Sequence, residues 1–283
     1  MSEPPTRHAP HTPVPGAAET AEAVDVPEVR SLGIIGRGPV GTALAAAFRE
    51  AGLAVDGPAG RGEVPSGEAV LLCVPDAEIP TATAVVAGAR GPRLVGHASG
   101  AMPLAAMESA RSPTTDLFGL HPLQTFSSAA PPALAGAGCA IAGSSPSAAR
   151  AAAGLARRLG MEALEIDDAQ RASYHAAASI ASNFLVTLEA TAEAIAAGAG
   201  FAREDARSLL VPLVRQTVEN WAAVGPEQSL TGPVSRGDEV TVASQRTAVA
   251  AVDPASLAVF DELVERTRSL AGAHVRPSLE AAA

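Results

Sequence analysis

The feature that most constrains this chain is a short apolar run, Leu32-Gly33-Ile34-Ile35, that gives way to Gly36-Arg37-Gly38-Pro39-Val40-Gly41 and then to a helical pattern over 42–51. Strand, glycine-rich turn and helix in that order read as the opening of a dinucleotide-binding βαβ unit. The first glycine permits a tight turn, and the second lets a diphosphate approach bare main chain. The third lets helix and strand pack closely, leaving the free N–H groups of the helix start aimed at the anion. Gly36, Arg37, Gly38, Pro39, Val40 and Gly41 are therefore candidate cofactor-binding residues.

The texture that follows extends this unit into a sheet. Strand patterns recur at 53–55, 69–74 and 94–97, with a helix-like stretch from the Pro75-Asp76 turn to about 89. Two more, at 138–142 and 163–166, flank a helix pattern over 146–159. Strands alternating with helices imply a parallel sheet covered on both faces. Strand signals stop after Asp167. Asp168 can cap a long helix reaching about Ala197, closed by Gly198 and Gly200. A second helix spans about 203–224, with Pro212 expected to kink it. A Gly/Pro loop over 225–237 and helices near 239–251 and 254–271 complete an all-helical half. The fold class is thus an α/β Rossmann-type N-terminal domain with a parallel sheet, followed by an all-α C-terminal domain. The expected divisions are a disordered tail over 1–29, a dinucleotide-binding domain over 30–167 and a helical substrate and dimerisation domain over 168–278. The tail is Pro-rich, and its His8 and His11 are expected to be solvated rather than metal-binding.

Composition narrows the chemistry. Twenty basic against 30 acidic residues give a formal charge of -10, which argues against general binding to nucleic acid or anionic lipid. All the basic residues are arginine. With no lysine, every mechanism that rests on an ammonium is excluded, including Schiff bases, the P-loop and the Tyr-x-x-x-Lys pair of short-chain dehydrogenases. Cys73 and Cys139 stand in apolar runs without metal-ligand spacing and read as buried free thiols; no metal is expected. No run approaches the roughly 18 apolar residues of a membrane helix, and the N-terminus lacks an apolar signal core, so a cytoplasmic protein with no membrane partner is expected.

Several residues stand out as site candidates. Asp56 lies about 20 residues beyond Gly36, where a carboxylate would hold the ribose hydroxyls of NAD. Arg61 lies just after it, where a guanidinium would pair with the 2′-phosphate of NADP. NADP(H) is the preferred reading and NAD(H) stays open; Asp56 also reads as a plain turn residue. Val74, Pro75 and Asp76, after the third strand, complete the cofactor-binding set. On the long helix, His175, Ser179, Ser182 and Asn183 fall at i, i+4, i+7 and i+8, a polar stripe on an apolar helix. It reads either as a wall facing substrate or as a helix–helix contact joined by small polar groups. Leu120-His121-Pro122-Leu123-Gln124-Thr125-Phe126 reads as a loop that puts His121 and Gln124 at the sheet's edge. Thr231-Gly232-Pro233-Val234-Ser235-Arg236-Gly237-Asp238 offers Thr231, Arg236 and Asp238, with Arg236 either paired internally or holding an acidic substrate. His97 and Ser99 end the fourth strand, where ligands of such sheets collect; for His97 a satisfied buried histidine is the simpler reading.

These pieces together resemble one family, which pairs a Rossmann-like domain with a helical domain of unknown function 2520. The resemblance covers about residues 31–270. It rests on the 36–41 turn, Cys73-Val74-Pro75-Asp76, His97-Ala98-Ser99-Gly100, the segment from His121 to Phe126, Tyr174-His175 through Ser182-Asn183, and Leu230-Thr231-Gly232-Pro233 with Arg236-Gly237-Asp238. It implies an NAD(P)-dependent oxidoreductase similar in layout to the 6-phosphogluconate dehydrogenase-like superfamily, and some members look like variant ketopantoate reductases of pantothenate synthesis. Ordinary ketopantoate reductases and β-hydroxyacid dehydrogenases carry a Lys and an Asn four residues apart on this helix. Ser179 and Asn183 occupy the analogous positions here, so proton donation falls to a histidine or to water. Ser99 and His121 also look like the Ser and His-Pro of prephenate dehydrogenases.

The reading is an NADPH-dependent reductase of a small 2-oxo acid, with 2-dehydropantoate foremost. His175 or His121 would donate the proton, Asn183 and Ser182 would orient the carbonyl, and Arg236 would hold the carboxylate. Ser99, Ser179, Asp238, Gln124 and Thr231 complete the substrate-binding set. Two alternatives stay open: a non-catalytic NAD(P)-binding sensor or scaffold, and an enzyme acting on a prephenate-like or imine substrate. The expected partners are a small carboxylate substrate and a second copy of the chain, docked through the helical domain.

Overall fold

The structure, a computed structural model, describes residues 28–88, 91–127 and 132–274. Of the expected tail only Glu28 and Val29 fall among them; His8 and His11 lie outside the described residues. The chain divides into two compact units, with the division between His175 and Ala176. The expected boundary at 167/168 falls short of this division, because the first residues of the long helix belong with the sheet.

The first unit holds seven strands: β1 (Ser31–Ile35), β2 (Ala54–Ala59), β3 (Ala69–Leu72), β4 (Leu94–His97), β5 (Asp116–Pro122), β6 (Gly138–Gly143) and β7 (Glu162–Glu165). They form one sheet in the order β2-β1-β3-β4-β5-β6-β7. The helices are α1 (Pro39–Glu50), α2 (Ile79–Ala87) and α3 (Pro146–Arg158). Between β2 and β3 there is no helix.

Period-two alternation divides the core between the two faces. Leu32 and Ile34 of β1, Leu71 of β3, and Phe118 and Leu120 of β5 pack with Leu44 and Phe48 of α1 and Leu155 of α3. Ile35, Val70, Leu72, Val95 and Leu117 point the other way, onto Ile79 and Val86 of α2 and onto Met107 in the 3₁₀ stretch Leu104–Ala110. Runs buried on both faces are what a parallel sheet demands of its central strands.

Two expectations need correction. The segment around His121 is no edge loop but β5, an inner strand paired with both β4 and β6. Asp116, Gly119, His121 and Pro122 interrupt its apolar run, which hides the strand from pattern reading. Pro122 is tolerated because it ends the strand. The sheet is also not wholly parallel, since β6 runs antiparallel to β5. Asp116 fixes that junction: its carboxylate accepts hydrogen bonds from the Ser144 hydroxyl (3.1 Å) and from the Ser145 hydroxyl (2.6 Å), and Ser145 also caps α3.

The long helix runs from Arg171 to Ala197, as α4 (Arg171–Ser179), a π-helical turn (Ile180–Phe184) and α5 (Leu185–Ala197). By length and composition alone it is able to cross a membrane, although no uninterrupted apolar run marks it. The second unit continues with α6 (Arg203–Ser229), α7 (Glu239–Val252) and α8 (Leu257–His274). Helical geometry persists through Pro212; the break comes instead at Gly225 (φ 80°, ψ 173°), just before Pro226. Glu193 of α5 forms a two-pronged ion pair with Arg207 of α6 (2.6 and 2.9 Å), and Arg246 of α7 does the same with Asp261 of α8 (2.8 and 2.9 Å).

Phe118 is fully buried, and its ring fills the space a side chain at Gly96 would need, a Cβ there lying only 2.5 Å from it. Phe118→Ala is expected to cost about 3–5 kcal/mol, read as a lower urea midpoint in equilibrium unfolding.

Candidate functional site

The chain passes from β1 to β2 on one side of the sheet and then crosses back to β3, so a crevice opens where the strand order reverses, beyond the carboxyl ends of β1 and β3. The glycine turn sits there. Gly36 has φ 119°, and a Cβ on it would lie 2.2 Å from the Cys73 carbonyl oxygen. A Cβ on Gly41 would lie 1.9 Å from the Gly36 carbonyl oxygen. The turn, the start of α1 and the end of β3 are thus in main-chain contact. Around Gly38, by contrast, nothing stands within 4 Å of the Cβ position. Gly38 caps α1 with no side-chain bond, Pro39 follows it, and no acidic residue occupies the first turn. A helix start left uncapped and uncrowded is suited to an anion.

The cleft above it has a volume of about 440 Å³ and is lined by the turn, by Ala59 to Glu63 and by Cys73, Val74 and Pro75. Its cations are partnered. Arg37 pairs with Glu63 (2.8 Å) and donates to the Pro58 carbonyl; Arg61 pairs with Glu78 (2.5 Å). Both pairs are exposed, and such pairs contribute only about 0–1 kcal/mol, so a phosphate could displace either carboxylate. Asp56 is engaged elsewhere, its carboxylate accepting from the Ser66 N–H and hydroxyl (both 2.8 Å), which hold it below the usual carboxylate range. It lies within β2, paired in register with Gly33, and not in a turn. Val40 packs against the core. Burial pushes the Cys73 thiol up to about 12, so it lines the cleft as an inert group.

On the α2 face of the same sheet edge a second constellation forms. Register pairs His97 with Gly119, which puts His97, Gly119 and His121 on one face. His97 is fully buried; its Nδ1 accepts the Ser99 N–H (3.2 Å), while its Nε2 has no hydrogen-bond partner. Ser99 Oγ accepts from the N–H groups of Ala101 (3.2 Å) and Met102 (3.0 Å), folding the loop after β4. His121 Nδ1 lies 2.8 Å from the Tyr174 hydroxyl, and the His175 ring stands edge-on to His121 with centroids 5.9 Å apart. His175 Nδ1 is buried and unpartnered. Arg171 is buried too, bonded through Nε to Asp168 (2.7 Å), with Nη2 left without a partner over Gly119. Burial, reinforced by Arg171 for His97 and by His175 for His121, lowers both imidazoles to about 4; Asp76 acts weakly the other way. Burial raises the Tyr174 phenol to about 12. Sequence reasoning quoted Tyr174 in a family motif but gave neither it nor Arg171 a place in the site; one signal was that Tyr174 is the chain's single tyrosine.

Other candidates are placed differently. Gln124 holds its own loop, its amide donating to the Ala133 carbonyl (2.8 Å) and accepting the Thr125 N–H (2.8 Å). Ser179, Ser182, Asn183, Thr231, Arg236 and Asp238 belong to the second unit. The π turn over 180–184 puts more residues in each turn than an α-helix, so the i, i+4, i+7, i+8 line is not straight. Ser179 and Ser182 are half-buried and Asn183 is exposed. Asp238 caps α7, accepting the N–H (3.1 Å) and hydroxyl (2.7 Å) of Thr241. Arg236 is exposed and makes no side-chain hydrogen bond or ion pair among the described residues; Thr231 is exposed as well.

Comparison with known proteins agrees with this architecture. Residues 137–267 match the family described as domain of unknown function (DUF2520). No curated protein matches the sequence. Among solved structures, a candidate NADP oxidoreductase from Bacteroides fragilis is 22% identical, with a TM-score of 0.72 over 85% of this chain and 98% of its own. A protein from Thermotoga maritima is 21% identical, with a TM-score of 0.67 over 87% of this chain and 100% of its own. The pyrroline carboxylate reductase of Plasmodium falciparum, solved with NADP bound, is 11% identical, with a TM-score of 0.53 over 85% and 98%. At these identities the likeness is one of fold. The chain is thus similar to the DUF2520 family over residues 137–267, and it shares a Rossmann-type fold with these solved structures.

Proposed function

We propose that this protein is an NADPH-dependent reductase of a small 2-oxo acid, with 2-dehydropantoate the first substrate to test. One observation carries the reading: an uncrowded, uncapped helix start at the β1/β3 crevice is joined through Val74, Pro75 and Asp76 to a buried group of imidazoles on the same sheet edge. The turn fits a dinucleotide, since the main chain is open only at Gly38, where a diphosphate would rest. Arg37 and Arg61 are the residues to hold a 2′-phosphate once it displaces Glu63 and Glu78. The cofactor supplies hydride to the carbonyl carbon.

What the chain supplies is stabilisation of the charge that then develops on oxygen. His121 is neutral at pH 7, so it acts as an uncharged N–H donor to that oxygen rather than as an imidazolium. His175 stands beside it as the second candidate, and the proton that finally neutralises the oxygen comes from water. With no lysine in the chain, imidazole N–H is the donor assigned to this oxygen.

The homodimer belongs to the same reading. Buried hydrophobic residues of the second unit are few, Ala206, Val242, Val249 and Val264 among the described ones, while Ile180, Phe184, Val186, Leu213 and Trp221 are each more than half exposed. A second copy, rather than lipid, suits these surfaces, because the long helix carries Glu193, paired with Arg207 of α6, and is polar at Ser179, Ser182 and Asn183. In sedimentation the protein is expected at twice its 28.2 kDa chain mass, with Phe184→Asp shifting it toward monomer; partition into lipid vesicles instead would count for a membrane role.

Titration with each nucleotide, followed by a panel of 2-oxo acids, tests the enzyme. NADPH is expected to bind more tightly than NADH, and Arg61→Gln to weaken NADPH about tenfold or more with NADH unmoved. Turnover in His121→Ala and in His175→Ala is expected to fall about 10²-fold or more. Tight nucleotide binding with no oxidation across the panel would support the sensor reading, and turnover confined to cyclic imines would move the substrate class.

The depressed imidazoles also set a pH window. An unfolded histidine takes its proton near 6.5, whereas folded His97 and His121 do so only near 4. Between those values the unfolded state binds more protons, so stability is full above 6.5 and is lost as pH falls toward 4. Urea midpoints measured from pH 7.5 to 4.5 are expected to fall across that window, and less steeply in His97→Gln.

A further inference from the structure

We propose that Tyr174 is a positioning residue that fixes His121 as its Nε2–H tautomer, and that Gly100 sets the point where this N–H and His175 Nδ1 converge. The inference rests on the reductase reading for its purpose, but its geometry stands apart from it.

The Tyr174 oxygen is 2.8 Å from His121 Nδ1, with the rings edge-on at 86°. Which group donates follows from their chemistry. A neutral imidazole's bare nitrogen is a far better acceptor than a phenol oxygen, and a phenol is the more acidic O–H or N–H of the two. The phenol proton is therefore directed onto Nδ1. His121 then carries its own proton on Nε2, the tautomer being set by what the other nitrogen binds.

Nε2 is the nitrogen turned toward Gly100. A Cβ built on Gly100 would meet His121 Nε2 and His175 Nδ1 at 2.9 Å each, closer than a side-chain carbon tolerates. Gly100 has no positive φ, so its backbone conformation does not require glycine; the two rings do. His175 Nδ1 is buried and unpartnered, a polar atom held at a cost of about 1–3 kcal/mol without an internal role. One donor of fixed direction and one nitrogen without a partner, brought together over a residue with no side chain, make a place to grip a single oxygen atom, such as that of a carbonyl turning into an alkoxide.

The test reads the tautomer directly, by ¹⁵N spectroscopy of the histidine side chains in the wild-type protein at pH 7.5. The expected result is His121 with a protonated Nε2 and a bare Nδ1. In Tyr174→Phe a mixture of both tautomers should appear, with kcat lowered about tenfold and the dissociation constant for NADPH unchanged. Gly100→Ala should shift the His121 and His175 resonances together and lower kcat, again with nucleotide binding unmoved. A wild-type His121 protonated on Nδ1, or a tautomer that persists in Tyr174→Phe, overturns the proposal even if the protein reduces 2-oxo acids. The expected tautomers in a protein with no reductase activity would leave the positioning intact and sink the reductase reading instead.

Discussion

Main-chain contact among Gly36, Gly41 and Cys73 is the constraint on which the carboxyl edge of the sheet depends. A single methyl at either glycine would drive into a carbonyl oxygen, so the turn, α1 and the end of β3 are fixed as one piece. Two consequences reach the site. The first turn of α1 is held beside the crevice with its N–H groups uncapped, and Val74-Pro75-Asp76 must leave β3 in the direction of β4 and β5. Nucleotide cleft and imidazole group are then two ends of one edge, positioned by backbone packing and not by flexible side chains. Sites supported in this way hold their geometry better than sites carried on loops.

The imidazole group is maintained against its own cost. His97 Nε2, Arg171 Nη2 and His175 Nδ1 are three buried polar atoms without partners, and each such atom typically costs about 1–3 kcal/mol. A buried guanidinium beside two histidines also keeps those histidines uncharged. A fold selected only for stability would fill this end of the face as it fills the rest of it, with Leu and Met of the kind found at Leu104 and Met107. Concentrated here, the cost marks the place where the chain departs from good packing, as functional sites do.

Much of the fold was legible because its rules are local. The 36–41 turn announces itself by glycine spacing, and α3 by Ser145 and Pro146 at its start. β5 was hidden because what makes it a strand is tertiary: Asp116 satisfied by Ser144 and Ser145, Gly119 leaving room for Arg171, His121 buried against Tyr174. A pattern reader sees a charged residue, a glycine, a histidine and a proline, and reads a loop. The site was legible in its membership but not in its linkage. His121 and His175 were picked out and His97 was read as a structural histidine, yet Tyr174, the group that ties His121 to the helix, lies 53 residues away and is marked only as the single tyrosine. The polar stripe fared worse, because a π turn changes the helical period and nothing in Ile180-Ala181-Ser182-Asn183-Phe184 declares one.

The absence of lysine gives these features a common logic. An ammonium on a long flexible stem reaches a substrate oxygen from many backbone positions and brings its own charge. An imidazole is short and rigid and, when buried, uncharged, so it serves only if its direction and its tautomer are settled by neighbours. The chain meets that demand with elements a lysine would not require: a register that aligns His97 with His121, a glycine that lets two rings converge, and a phenol bonded to the nitrogen that faces away from the crevice. Proton handling here is therefore a property of the sheet edge as a whole. Arginine is no equivalent, since a guanidinium is always charged and has no acceptor nitrogen for a phenol to fix. Arg37 and Arg61 line the cleft instead, each paired with a carboxylate of the chain's own.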